Sequence, residues 1–159
     1  MNIFVLDSDP VAAARNLCDK HVVKMLVESA QMLSTISAEN GGIAPYRPTH
    51  LNHPCTRWVA KSKANWDWLV SHATEMAHEY SRRYCNRVHK SSLVIDDLRH
   101  NGAAPTQGSL TGFVLAMPEQ WKCDDPITAY RAFYIAEKSQ FARWNNGTPP
   151  PSWWPKELL

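Results

Sequence analysis

The sequence predicts a mainly α protein, a compact single-domain helical bundle over residues 1–159 with a short extended N-terminal arm or strand. Apolar residues recur at helical spacing in several segments, and these segments open near Asp, Ser or Pro, which are common at helix N-termini. A chain of 159 residues is also long enough for one core, since a domain of that size buries roughly 70% of its unfolded surface.

The predicted elements follow in order along the chain. The run from Asn2 to Leu6 is β-branched and aromatic, which is typical of a strand or an extended arm, and the turn-forming residues 7–10 end it. Helices are predicted over residues 10–17, 19–36, 55–60, 62–84, 91–100 and 126–141. Their expected N-caps include Asp9, Asp19 and Ser62. The segments 37–52 and 101–119 are rich in Gly and Pro, which favours loops.

The composition leaves two questions about function open. Seven tryptophans among 159 residues require either a well-packed interior or a stacking surface. The net charge of +2 neither indicates nor excludes a nucleic-acid partner. The most basic segment, residues 82–90, contains three arginines, a histidine and a lysine, and it suits either a solvated helix end or a patch that contacts phosphates.

The sequence also bounds the location of the protein. No apolar run approaches the roughly 20 residues that a membrane span needs, and the N-terminus lacks a basic leader. The four cysteines, Cys18, Cys55, Cys85 and Cys123, stand far apart without CxxC spacing, which favours reduced thiols. We therefore expect a cytoplasmic protein with no membrane partner, no metal and no cofactor, and the sequence does not predict its oligomeric state.

Four polar residues share one face of the helix predicted over residues 19–36. At about 100° per residue, His21, Lys24, Glu28 and Gln31 fall within an arc of roughly 80°. Such a face is either plain solvent surface, with Lys24 and Glu28 as an i, i+4 pair, or a partly buried strip. In a partly buried strip, a carboxylate beside a histidine or a lysine can act as a general acid or base.

A second mixed face lies on the helix predicted over residues 62–84. The same angular count places Trp68, His72 and Arg83 on it. A histidine there is either a hydrogen-bonded core residue or, if this face lies opposite the first one, part of a polar pocket with aromatic walls.

The segment 49–58 combines hydrogen-bond donors, a thiol and a rigid turn. Its candidates for contacting a phosphate or a base are His50, Asn52, His53, Arg57 and Trp58, and structural capping of the next helix is the alternative. Zinc binding is disfavoured because the His, His, Cys spacing lacks a fourth ligand. The sequence has no GxGxxG, P-loop, GxSxG or HExxH motif, which argues against nucleotide-driven and serine-hydrolase chemistry.

A motif at the start of the helix predicted over residues 19–36 resembles that of a known protein family. The run from Cys18 to His21 reads CDKH, and Glu28 lies seven positions after the histidine. This pattern resembles the phage pyrimidine-dimer DNA glycosylases of the endonuclease V type, in which an Asp-x-His motif begins a helix and a glutamate seven residues later is catalytic. The chain is also similar to small phage proteins that share the patterns MNIFVLD, DKHVVKM, THxNHPCxxW and AYRxFYIxEKSxFAxW. A phage-encoded protein would work in the cytoplasm of the host cell.

The resemblance implies a mainly helical enzyme that flips a nucleotide out of duplex DNA. In the family an amine then attacks C1′ of the damaged nucleotide while the glutamate manages the protons. The resemblance places that glutamate on Glu28 and the family's histidine on His21.

The identity of the amine is left open by the sequence. In the family it is the α-amino group, which here belongs to Met1, because the bulky Asn2 favours retention of the initiator methionine. The arm before the helix is longer than in the family, however, so Lys24 or Lys20 is the alternative nucleophile, and a reaction without an imine is a third possibility.

The phosphate contacts are open for a similar reason. The family carries arginines immediately before and three residues after its glutamate, and those positions hold Val27 and Gln31 here.

The sequence leads to three hypotheses about function. The first is a DNA N-glycosylase that acts on a damaged or modified base, with or without abasic-site lyase activity. The second is a transferase or other enzyme that modifies bases in phage DNA, and the third is a non-enzymatic DNA-binding module.

Overall fold

The computed structural model describes residues 1–158, and within them it contains six α-helices and no strand. The helices are α1 (Pro10–Asn16), α2 (Asp19–Glu39), α3 (Pro54–Ala60), α4 (Lys63–Arg83), α5 (Lys90–Asn101) and α6 (Pro126–Lys138), with short 3-10 turns at Glu119–Trp121 and Lys156–Leu158. The predicted helical class is confirmed. The first six residues form an extended arm rather than a strand.

Helices α2 and α4 form the centre of the bundle. Each has 21 residues, and they pack against each other, with α1 against α4 and both α3 and α5 in contact with the central pair. The buried core runs from Ile3 in the arm to Trp154 near the C-terminus. The N-terminal arm is part of this core, since Ile3 to Leu6 are all at most 5% exposed.

Local signals explain where the helices begin. Asp9, Ser62 and Asp125 accept hydrogen bonds from backbone N–H groups in the first turns of α1, α4 and α6. The expectation that Asp19 caps α2 was wrong, because Cys18 occupies the cap and Asp19 is the first helical residue. Its carboxylate still lies at the positive end of the helix dipole.

Two helix ends differ from the prediction. Helix α2 continues to Glu39, three residues beyond the predicted end at Ile36, because Ile36 and Ser37 are buried and extend its packed face. Helix α6 ends at Lys138 rather than at residue 141, and the chain then turns so that Ala142 and Trp144 reach the core.

The tryptophans serve mainly the interior. Five of the seven are at most 8% exposed, namely Trp58, Trp66, Trp68, Trp144 and Trp154, and the other two are partly buried. All four cysteines are free, which agrees with the expected reduced thiols. No helix within residues 1–158 combines the length and the apolar character that crossing a membrane requires.

Candidate active site

Glu28 is the point at which the N-terminal arm meets α2. Its side chain lies in the middle of that helix and is 12% exposed. The backbone N–H of Asn2 donates a hydrogen bond to Glu28 Oε2 at 2.8 Å, and the α-amino nitrogen of Met1 lies 3.7 Å from the same oxygen. The start of the chain is thereby held against this carboxylate.

A second amine approaches Glu28 from its own helix. Lys24 lies one turn earlier, and its Nζ is 3.4 Å from Glu28 Oε1. The lysine side chain is 66% exposed. One carboxylate therefore has a separate amine at each of its two oxygens.

A turn in the arm brings the amino terminus back to Glu28. The Asn2 side-chain oxygen accepts hydrogen bonds from the N–H groups of Ile3 and Phe4, at 2.8 and 3.1 Å. Phe4 has a φ of 55°, a left-handed conformation that is strained for a residue with a bulky side chain. Its ring stacks on His21 with 4.7 Å between the ring centroids, and this packing holds the strained turn in place.

The side chain of Met1 is buried, whereas its main chain is partly exposed to solvent. The side chain is only 2% exposed, and the Thr56 hydroxyl donates to its sulfur at 3.5 Å. The residue as a whole is partly exposed, so its exposed surface belongs to the main chain, which includes the amino group. A solvent-accessible amine on a fixed residue has the geometry of an oriented nucleophile.

The start of α3 forms the other wall of the site. Burial and the positive charge of the chain terminus lower the pKa of His53, whose Nδ1 caps α3 by accepting from the N–H of Cys55 at 3.2 Å. Burial raises the pKa of the Cys55 thiol to about 12, which keeps it protonated. His53 is thus both a helix cap and a neighbour of the amino terminus.

His21 lies inside an aromatic cluster rather than on an open polar face. It is 4% exposed, and its Nδ1 shares a hydrogen bond of 2.8 Å with the Tyr134 hydroxyl. Burial, followed by the charges of Lys138, Lys24 and Lys20, lowers its pKa to about 3. The imidazole is therefore neutral at neutral pH, and its contacts support the arm.

The other candidate residues on α2 and in the segment before α3 lie at or near the surface. Gln31 is partly exposed on the next turn of α2, and His50 and Asn52 are exposed in the loop before α3. His50 has a φ of 52°, and its Nδ1 is 2.8 Å from the Thr49 hydroxyl. Arg57 donates to both oxygens of the Glu39 carboxylate, at 2.8 and 2.9 Å, and this carboxylate partly neutralises the positive charge of the arginine.

The candidates on α4 and Trp58 are bonded elsewhere in the interior. The indoles of Trp58 and Trp68 donate to the carbonyls of Gly112 and Ser8, and His72 Nδ1 lies 3.0 Å from the Pro10 carbonyl. Arg83 is 4% exposed and binds the carboxylates of Glu79 and Asp19. The structure does not bring Trp58, Trp68, His72 or Arg83 to Glu28 by any hydrogen bond or ion pair among the described residues.

Sequence reasoning missed the groups that hold the arm. The Asn2 side chain donates to the Ala116 carbonyl at 2.8 Å, and the Tyr130 hydroxyl accepts from the Ala116 N–H at 3.2 Å and donates to Val114 at 2.8 Å. The first of these contacts joins residues 114 positions apart, which periodicity does not report. Only the resemblance, which requires an α-amino group near the glutamate, indicated that the arm would return to α2.

Comparison with known proteins agrees with the resemblance. A family model described as pyrimidine dimer DNA glycosylase matches residues 1–92, a range that holds Glu28 and the amines of Met1 and Lys24. No curated protein and no solved structure matches the chain. Because the matched range covers more than half of the 159 residues, the chain belongs to the pyrimidine dimer DNA glycosylase family.

Proposed function

We propose that the protein is a DNA N-glycosylase that removes a damaged pyrimidine, with pyrimidine dimers as the first substrate to test, and then cleaves the resulting abasic site. Glu28 is the proposed proton-transfer residue and the α-amino group of Met1 the proposed nucleophile. The observation that carries this proposal is the placement of that amine 3.7 Å from Glu28 Oε2, in a family of DNA glycosylases.

The chemistry needs a neutral amine beside a carboxylate. The nitrogen lone pair forms a bond to C1′ while the glycosidic bond breaks, and the electron pair of that bond leaves with the base. Glu28 takes the proton that the amine loses and returns a proton to the ring oxygen as the sugar opens to an imine. Loss of a proton from C2′ then expels the 3′ phosphate, which is the lyase step.

The structure favours Met1 over Lys24 as the nucleophile. Both nitrogens lie within 3.7 Å of Glu28, but the side chain of Met1 is buried while that of Lys24 is 66% exposed. A fixed amine has already lost the orientational freedom that a flexible lysine must lose in the transition state. The hydrogen bond from Asn2 to Glu28 orients the carboxylate as well.

An apolar groove near the site could receive an extruded base. It lies between the end of α2 and the loop before α3, has a volume of about 470 Å³, and is lined by Thr35, Ala38, Glu39, Pro48, Thr49, His50 and Leu51. Thr35 is seven residues beyond Glu28, or about 10 Å along the helix axis. Such a groove would supply an apolar surface against which an extruded base packs.

The first test is cleavage of the glycosidic bond in ultraviolet-irradiated duplex DNA, measured as strand breaks at the resulting abasic sites, because a dimerised pyrimidine stays joined to its neighbour and is not set free. Glu28→Gln should lower the rate of cleavage by about a hundredfold or more, because removing a general acid or base costs roughly 10²–10⁴ in rate. Glu119→Gln is the control, since that carboxylate is 87% exposed and lies outside the site, and it should retain activity. Equal cleavage by wild type and Glu28→Gln would overturn the proposal, and altered nucleosides without cleavage of the glycosidic bond would point to base modification.

The second test identifies the nucleophile. Borohydride reduces an imine to a stable link, so DNA should become attached to the protein, and mass spectrometry should place the adduct on the peptide that begins at Met1. Lys24→Ala should still be trapped. A chain extended by one glycine before Met1 should lose most of the trapping, since its amine is displaced from Glu28. An adduct mapped to Lys24 would contradict the assignment of Met1.

A further inference from the structure

Three lysines surround His21 next to the Glu28 site. Lys20 and Lys24 lie one turn apart on α2, and Lys138 is the last residue of α6. Helices α2 and α6 thus bring positive charges from distant parts of the sequence to one place. The same three charges help to lower the pKa of His21, which agrees with this proximity.

Aromatic rings position two of these lysines. Lys20 Nζ lies 4.9 Å from the centre of the Phe141 ring. Lys138 Nζ lies 4.9 Å from the centre of Phe133 and 5.9 Å from that of Phe4. Phe4 and Phe141 both pack against His21, so the lysines rest on a single aromatic cluster. Contacts of this type attract an ammonium to the face of the ring.

Two members of this cluster have no acidic partner within residues 1–158. Within residues 1–158, neither Lys20 nor Lys138 forms an ion pair, and Lys24 pairs only with Glu28. Elsewhere, Arg57, Lys63 and Lys122 each lie within 2.8 Å of a carboxylate oxygen. Three positive charges beside a neutral histidine repel one another, and a polyanion would relieve that repulsion.

The basic segment that the sequence singled out is a weaker candidate. Arg82 lies 3.4 Å from a Glu75 oxygen, and the Arg83 guanidinium is buried against Glu79 and Asp19. Two of the three arginines in residues 82–90 are therefore already paired. Within residues 1–158, Arg87 and Lys90 form no ion pair, but neither lies over an aromatic ring as Lys20 and Lys138 do.

We propose that Lys20 and Lys138, continued by Lys24, form a binding site for the backbone phosphates of the DNA strand that passes Glu28. The substrate class rests on the proposed function. Lys20 lies two turns before Glu28 on α2, about 12 Å along the helix axis, so a strand held by the two lysines would present a nucleotide to Glu28 and to the Met1 amine. Val27 and Gln31 supply no positive charge on the neighbouring positions of α2, which leaves the lysines to neutralise phosphates there.

The test is the salt dependence of binding to undamaged duplex DNA, which requires no turnover. Each phosphate contact contributes about 0.9 to the slope of log K against log salt concentration. Lys20→Ala/Lys138→Ala should therefore reduce the magnitude of the slope by about 2. Lys61→Ala/Lys90→Ala removes the same charge from two exposed lysines outside the cluster and should leave the slope nearly unchanged.

The outcomes separate this proposal from the proposed function. If both double variants reduce the slope equally, or if neither does, the lysine site is overturned even when the wild-type protein cleaves the glycosidic bond in damaged DNA. If only Lys20→Ala/Lys138→Ala reduces the slope, the site is supported even when no cleavage of the glycosidic bond is found. With an active enzyme, the same variant should raise KM while kcat at saturating DNA stays within about twofold.

Discussion

The two parts of the chain, residues 1–92 and 93–158, contribute differently to the site. The first part carries α1 to α4, Glu28 and the amines of Met1 and Lys24, and it is the range that matches the family. The second part supplies no group within hydrogen-bond or ion-pair distance of Glu28 among the described residues. Chemistry and family signal are therefore concentrated in the first part.

The second part nevertheless holds the arm that carries the proposed nucleophile. Ala116 accepts from the Asn2 side chain at 2.8 Å. Arg131 donates to the Leu6 carbonyl at 2.9 Å, and its guanidinium lies 3.2 Å from the Asp7 carboxylate. The candidate reactive groups and the contacts that fix their position thus come from separate regions of one chain.

The largest expected effect comes from breaking the buried ion pairs of the first part. Arg83 binds Glu79 at 2.7 Å and Asp19 at 3.1 Å, and its own side chain is fully buried. Arg83→Leu would leave the Asp19 carboxylate without its cation and the buried Glu79 with Arg82 alone. We expect the free energy of unfolding in denaturant titrations to fall by roughly 3–5 kcal/mol.

An ion pair at the surface provides the control for this change. Arg57→Leu breaks the pair with Glu39, in which both side chains are at least 35% exposed, and should cost about 1 kcal/mol or less. If Arg83→Leu kept full stability but lost DNA binding, Arg83 would be a substrate contact, as the sequence first suggested, rather than a structural residue.

A smaller effect should appear as a pH dependence at the junction of the two parts, where His21 of α2 meets Tyr134 of α6. The pKa of His21 is lowered to about 3 in the folded protein, against about 6.5 in an unfolded chain. Between these values the unfolded state binds more protons, so stability falls as the pH drops below 6.5. The expected loss from His21 at pH 5 is about 2 kcal/mol.

Comparison with a variant isolates this contribution. His72, whose pKa is lowered to about 4 by burial, acts in the same direction and remains in both proteins. Wild type should therefore lose about 2 kcal/mol more of its unfolding free energy than His21→Phe as the pH is lowered from 7.5 to 5, whatever their difference at pH 7.5. A constant difference across that range would show that His21 is not held neutral by the fold.

The helices could be predicted from the sequence because their signals are local. Ser62 and the spacing that follows it identified α4, and the structure places that helix at Lys63–Arg83. The end of α6 was misplaced because the turn after Lys138 depends on packing of Trp144 into the core. Such packing joins distant residues and leaves no periodic signal in the chain.

The candidate site was predicted only in part for the same reason. Angular counting correctly placed Lys24 and Glu28 as neighbours, which the structure shows at 3.4 Å. It also placed His21 on the same open face, whereas the arm and α6 cover that histidine through Phe4 and Tyr134. The pattern of one helix contains no information about which other segments cover it.

The smallest expected effect on stability, and the sharpest test of the comparison, comes from Tyr130 in the second part. Its hydroxyl donates to the Val114 carbonyl and accepts from the Ala116 N–H, and Ala116 in turn holds the Asn2 side chain. Tyr130→Phe keeps the ring but removes both hydrogen bonds, which should cost about 1–2 kcal/mol. Because the arm would be less well oriented, borohydride trapping should slow by roughly tenfold.

The matched control is Tyr46→Phe, which removes a hydroxyl that pairs with Ser91 at 2.8 Å, away from the arm. It should cost about 1 kcal/mol of stability and leave the trapping rate unchanged. Equal trapping by both variants would mean that residues 1–92 orient their own nucleophile. Slower trapping by Tyr130→Phe alone, with kcat reduced more than KM is changed, would show that Tyr130 acts through Ala116 and Asn2 as a positioning residue.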